Sequence, residues 1–211
     1  MTLTQLKIKE LLDENRKHRC EGFGSDKVCV QIIAIDELPS RFGDFHIFIY
    51  CSNRDEEEHV AIVRGDVIGA KNVPVRLHSE CLTGDAIGSL RCNCRDQLET
   101  ALKQIGQLKN GIILYMRQKR SGVELTDETF AYGLHHQDDD VEEPNWALGC
   151  HDEEHKYSMA AHMLHSIMVS SIQLITNDPS KIELLIQHGV AVNGIIPLIV
   201  PPKPRREKEL S

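Results

Sequence analysis

Past residue 95 the chain alternates helical and strand periodicity, and this alternation narrows the available folds more than any other feature. Leu98, Ala101, Leu102, Ile105 and Leu108 fall on one helical face, "GIILYM" reads as a buried strand, and a helix through Phe130, Tyr132 and Leu134 follows. Ala160, Met163, Leu164 and Ile167 mark another helix and "IQLIT" another strand. The next helix, "NDPSKIELLIQHG", has Pro179 near its first position and Gly189 past its end. Ahead of this region the period is two: "VCVQIIAI", then "GDFHIFIYC" with His46, Phe48 and Tyr50 opposite Phe45, Ile47 and Ile49, then a charged hairpin and "HVAIVRGDV". The expected fold is α/β: a mixed sheet, antiparallel in its N-terminal part, with helices packed on a partly parallel C-terminal part. Residues 1–40 read as a helical and strand extension, and the Pro-rich, then charged, 201–211 as a disordered tail.

Charge and cysteine usage bound the partners. Thirty-two acids against 24 bases give a formal charge of −8 over 211 residues, so nothing draws the whole chain toward nucleic acid or an anionic membrane. The first 20 residues are charged throughout and no stretch approaches the ~20 apolar residues of a membrane span, so a cytoplasmic protein is expected. Seven cysteines, an odd count, then point to reduced thiols, metal ligands or a nucleophile rather than a disulfide framework.

Three of those cysteines lie in "HSECLTGDAIGSLRCNC", residues 78–94. The spacing Cys81-x10-Cys92-x-Cys94 offers three soft ligands, and three plus an open position is the arrangement of a catalytic zinc. Spacing alone leaves this open beside two others: a closed site completed by His78 or Cys150, and small buried thiols with no metal.

The segments "RLHSECLTGD" and "GSLRCNCRDQLE" resemble the zinc motif of the GTP cyclohydrolase II family almost residue for residue, and the resemblance runs from about Gly43 to about Val200. It implies a catalytic domain over 41–200, one Zn2+ per chain held by Cys81, Cys92 and Cys94, and a zinc-bound water that attacks C8 of the guanine imidazole ring and releases it as formate. It places Arg76, Leu77, His78, Ser79, Glu80 and Gln97 at nucleotide-contacting positions, with Thr176 and Lys181 of "ITNDPSK", and Tyr132 of "FAYGL" at the catalytic tyrosine. A helix start beside a lysine suits phosphate. The resemblance also implies a homodimer.

The chain departs from the family pattern chiefly where phosphate is handled. Where members usually carry "RQEGRGIGL", it reads "RQKRSGVEL", so that Lys119, Arg120 and Ser121 stand at the Glu-Gly-Arg positions. Where members carry D-x-R-D-[YF], an acid and an arginine that help expel pyrophosphate, it reads "HDEEHKY", which aligns Glu153 with the acid and His155 with the arginine. A histidine beside a carboxylate is a competent nucleophile or base near neutral pH. Val141 replaces a nucleotide-contacting threonine, while Glu143 keeps the acid of that segment. Among the 11 histidines, several in 135–165 could be further ligands, with a helix-surface position as their default.

Ring opening therefore looks retained and phosphate release rebuilt, with Mg2+ left open for the latter. The leading expectation is a zinc-dependent cyclohydrolase of the GTP cyclohydrolase II type, as in riboflavin formation. Two alternatives stand beside it: a relative acting on another base, such as a uracil nucleotide in pyrimidine catabolism, and a weakened nucleotide-binding protein with structural zinc.

Overall fold

The computed structural model describes residues 3–18, 21–22, 27–117 and 153–200, the side chains of 153–155 excepted. Helix α1 (Gln5–Arg16) starts at Thr4, whose hydroxyl accepts the N–H of Lys7 and so satisfies one of the orphan donors of the first turn. Three antiparallel strands follow: β1 (Val30–Ser40), β2 (Gly43–Ser52) and β3 (His59–Arg64). Then come β4 (Val73–Ser79), a π-helical turn at Leu82–Ala86, α2 (Cys94–Gly106), β5 (Gly111–Met116), α3 (Glu153–Ser166), β6 (Ile172–Ile175), α4 (Ser180–Gln187) and β7 (Val192–Ile196).

One seven-stranded sheet collects these strands in the order β1-β2-β3-β5-β4-β6-β7. The β3–β5 pair is still antiparallel, whereas β5–β4, β4–β6 and β6–β7 are parallel. The mixed sheet expected from the change of periodicity is thus present, with the change of direction falling between β3 and β5.

Both faces are covered, and alternation along the strands decides which side chain meets which helix. Phe48, Tyr50, Val63, Val75, Ile112 and Leu114 join the larger core with Leu11 of α1, Met163 and Leu164 of α3 and Leu185 of α4. Phe45, Ile113 and Ile175 turn the other way and pack with Ala101 and Ile105 of α2. Strand β5, covered on both sides, reads as a near-continuous apolar run for that reason, whereas β4 places Arg76 and His78 on its α2 side. Leu108, placed on the α2 face by periodicity, lies beyond the helix end and is exposed. The expected helix through Tyr132 and the tail at 201–211 fall outside the described residues. No helix among the described residues is long and apolar enough to cross a membrane.

This layout fixes where a site can form. In open α/β sheets, ligands bind beyond the carboxyl ends of the parallel strands. Here those ends are Met116, Ser79, Ile175 and Ile196, on four adjacent strands.

Candidate active site

Cys81 lies two residues past β4, and the chain folds straight into the π-helical turn, which brings Cys92 and the first residue of α2, Cys94, back beside it. The three Sγ atoms lie within 4.8 Å of one another, and Cys81 and Cys92 are 3.8 Å apart. Zn–S bonds of about 2.3 Å at a tetrahedral angle put two sulfurs about 3.8 Å apart, so this edge already has the span of a thiolate pair sharing zinc. Cys81 Sγ also accepts the N–H of Gly84 at 3.3 Å and lies 3.6 Å from the Thr83 hydroxyl.

Gly84 is the floor of this cradle. A Cβ there would stand 2.6 Å from Cys92 Sγ, 3.0 Å from Cys94 Cβ and 3.1 Å from Cys81 Sγ, so only glycine lets the turn approach all three. Hydrogen bonds from the Cys92 and Cys94 thiols, aided by Thr83 and the Gly84 N–H, hold the Cys81 thiol far below the ordinary thiol range against the opposing effect of burial. Cys94 is pushed well up because it gives its hydrogen to Cys81 and Cys92. Three sulfurs converging at this range, each altering the proton affinity of the others, are a donor set that a soft or borderline cation completes.

Behind the sulfurs stands an acid. The Asp85 carboxylate meets His78 Nε2 at 3.0 and 3.1 Å and accepts the Tyr115 hydroxyl at 3.0 Å and the Cys81 N–H at 3.0 Å. The His78 and Tyr115 rings stack with centroids 5.5 Å apart. Burial, then the Asp85 charge, drives the Tyr115 phenol far above its usual range, so it stays a donor. Asp85 thereby ties the loop that carries Cys81 to the ends of β4 and β5.

The α2 side of β4 carries a second polar chain. Arg76 donates to Gln97 Oε1 at 2.8 Å and to the carbonyl of Ile175 at 3.1 Å, and Gln97 donates to Asn93 Oδ1 at 2.6 Å. The guanidinium thus bridges α2 and the end of β6. At the end of β5, Arg117 pairs with Glu80 at 3.5 Å and Glu57 at 3.3 Å.

The model for GTP cyclohydrolase II matches residues 31–197, from within β1 to just past β7. The chain belongs to the GTP cyclohydrolase II family. It is 47% identical over 165 residues to the GTP cyclohydrolase-2 of Picrophilus torridus, covering 78% of this chain and 85% of that one. It is 38% identical over 203 residues to the riboflavin biosynthesis protein RibBA of Endomicrobium trichonymphae, covering 96% of this chain and 48% of the relative. A solved structure of RibBX from A. baumannii, a two-domain 3,4-dihydroxy-2-butanone 4-phosphate synthase, aligns over 90% of this chain and 44% of its own with a TM-score of 0.51. At 12% identity that likeness is one of fold. Membership in the cyclohydrolase II family makes this chain an enzyme, a hydrolase of the cyclohydrolase class.

Of the residues that the family motif singles out, the fold brings together Cys81, Cys92, Cys94, Arg76, His78 and Gln97, on the second half of β4, in the turn that follows it and in the first turn of α2. Leu77 faces the opposite core, as strand alternation requires. Ser79 Oγ is buried without a hydrogen-bond partner among the described residues, and Glu80 is held by Arg117. Thr176, buried just after β6, accepts the Asp178 N–H at 3.0 Å. Asp178 in turn accepts the N–H and hydroxyl of Ser180, so the first N–H of α4, beside Lys181 where the sequence suggests phosphate, is already taken by a carboxylate of this chain. Those bonds, with Lys181 nearby, hold the Asp178 carboxyl below its usual range. Lys119, Arg120, Ser121, Tyr132, Val141 and Glu143 lie outside the described residues. Glu153 and His155 fall in the first turn of α3, with side chains outside the description.

Gly84, Asp85 and Tyr115 hold the site together but stand outside the set that the motif reading names. Asp85 was within reach: it is the last residue of "RLHSECLTGD", an acid four residues after a cysteine. Tyr115 gives no such signal, because only β4–β5 pairing sets it beside His78.

Proposed function

We propose that this chain is a zinc-dependent cyclohydrolase that opens the base ring of a nucleotide, with GTP as substrate and formate as product, on the route to riboflavin. The observation that carries the reading is the Cys81–Cys92–Cys94 cradle, whose 3.8 Å sulfur edge fits zinc and whose Gly84 floor a single methyl would fill. Zinc held there would supply an acidified water and a Lewis acid for the ring carbon. Asp85 keeps the Cys81 loop and His78 in place, and the buried Arg76, fixed by Gln97 and Ile175, holds a cation between β4, α2 and the end of β6. Tyr132 takes the role of proton donor or acceptor at the base. Glu153 and His155 replace the family's acid and arginine in expelling pyrophosphate, and Lys119, Arg120 and Ser121 meet the phosphates, with Mg2+ as their partner ion. The working unit is a homodimer.

The test is to incubate the zinc-quantified protein with GTP, GMP and UMP in Mg2+ and to follow formate, pyrophosphate and the ultraviolet change of ring opening. Formate with pyrophosphate from GTP supports the whole reading. Formate alone from GTP removes His155 and its neighbours from phosphate chemistry. Ring opening of UMP in preference to GTP transfers the enzyme to pyrimidine catabolism, and nucleotide binding without turnover makes the zinc structural.

A further inference from the structure

Three segments that are distant in sequence meet on the face of the sheet opposite α2. Helix α1 ends at Arg16 and His18 follows it, Cys29 immediately precedes β1, and His162 lies in the middle of α3. Asn15 fastens these segments to one another. Its side-chain amide donates to the carbonyls of Leu11 and Ser166, at 3.0 and 3.3 Å, its Oδ1 accepts the Ile32 N–H at 3.3 Å, and its own carbonyl accepts Gln31 Nε2 at 2.6 Å. Cys29 is pinned separately, its N–H and C=O both bonded to Asn53, and it is in no disulfide. The backbone positions of all three residues are therefore set by contacts other than their own side chains.

One ligand atom from each of His18, Cys29 and His162 lies within 4.8 Å of the others, and the two imidazoles meet edge to face with centroids 5.1 Å apart. Even with every separation at that limit, the centre of the triangle is about 2.8 Å from each donor, about 0.5–0.8 Å beyond Zn–S and Zn–N bonds, which rotamer adjustment closes. His162 is only 1% exposed, among Ala160, Ala161, Met163 and Leu164 of the core, so its ring is held inside the fold on the side where His18 and Cys29 arrive. It is not the helix-surface histidine that sequence alone makes the default.

We propose that His18, Cys29 and His162 form a second zinc site, a two-imidazole, one-thiolate set that clamps α1 and the start of β1 onto α3. The donor set selects a borderline divalent ion over Mg2+ or Ca2+. Two of the three ligands precede residue 31, where the family match begins, so the clamp belongs to the N-terminal part of this chain and not to the shared cyclohydrolase site. It stands whatever the Cys81–Cys92–Cys94 cradle holds.

The deciding experiment uses the full chain with Cys92→Ser, which disables the cradle and leaves all three proposed ligands in place; Cys81→Ser gives the same arm if that variant does not fold. Reconstituted with Co2+, this protein should bind about one equivalent, with the visible bands of a tetrahedral ion and the charge-transfer intensity of a single thiolate. Adding Cys29→Ser, or His18→Ala as an independent variant, should abolish that equivalent. The wild type should carry about two equivalents of zinc and each of the single variants Cys29→Ser and His18→Ala about one. Zinc should raise the melting temperature of Cys92→Ser but not of the double variants, since only a ligand that binds the folded state shifts it. No cobalt bound by Cys92→Ser, or an equivalent that survives both double variants, overturns the clamp.

Discussion

Replacing Gly84 with alanine tests whether the sulfur cradle is as tight as its geometry says. The new methyl would lie 2.6 Å from Cys92 Sγ, where ordinary contact needs roughly 3.5–4.0 Å, so the sulfur must retreat by about 1 Å. Metal–ligand distances tolerate about 0.2 Å, and the required shift is about five times that. Retreat elsewhere is blocked as well, because the same methyl sits 3.0 Å from Cys94 Cβ and 3.1 Å from Cys81 Sγ. Gly84 does not have a positive φ, so alanine adds no backbone strain and the effect is one of crowding. Overpacking of this kind costs about 1–3 kcal/mol, which, charged to the metal-bound state, weakens zinc binding by roughly 5- to 150-fold. Competition against a chelator of known affinity reads this directly, with the melt of both proteins in excess chelator as the control for folding. Zinc affinity within about twofold of wild type for a folded Gly84→Ala protein would show that the turn has slack and refute the argument.

Asp85→Asn keeps the shape but turns an acceptor of three donors into a group that must itself donate; about 1–3 kcal/mol of stability should go, and ring opening should fall while zinc stays bound, as metal analysis and formate release together would show. His155→Ala should spare formate release from GTP and suppress pyrophosphate release, and loss of zinc from this variant would make His155 a ligand instead. His59, 1% exposed and 3.3 Å from Asp55, has its pKa lowered by burial in spite of that carboxylate. The unfolded chain therefore takes up this proton before the folded one does, so stability holds above the ordinary histidine value near 6.5 and declines as pH falls below it. Denaturant midpoints for His59→Asn across that range should show a shallower decline than wild type.

Among the described residues, most elements were readable where a local period carried them. Strand β2 shows both of its faces in the sequence, because Phe48 and Tyr50 meet α1 and α3 while Phe45 meets α2. The sheet order was not readable: β5 enters between β3 and β4, an arrangement set by non-local pairing to which no single segment testifies. The site divides in the same way. Cys81, Cys92 and Cys94 announce themselves as candidate ligands because 14 consecutive residues hold all three, so local spacing together with the motif around it is the signal. Arg76 and Gln97 could be named from the motif, but their bond to each other, and that of Arg76 to Ile175, exist only because α2 crosses β4 and β6 lies beside it. His18, Cys29 and His162 lie at the far end of this scale: 11 and 133 residues separate them, and no ligand spacing joins them. Chemistry borne by one loop can be read from a chain, whereas chemistry assembled by packing needs the fold first. The clamp and the cradle thus put both cases in one molecule, where metal analysis of Cys92→Ser and Cys29→Ser can separate them.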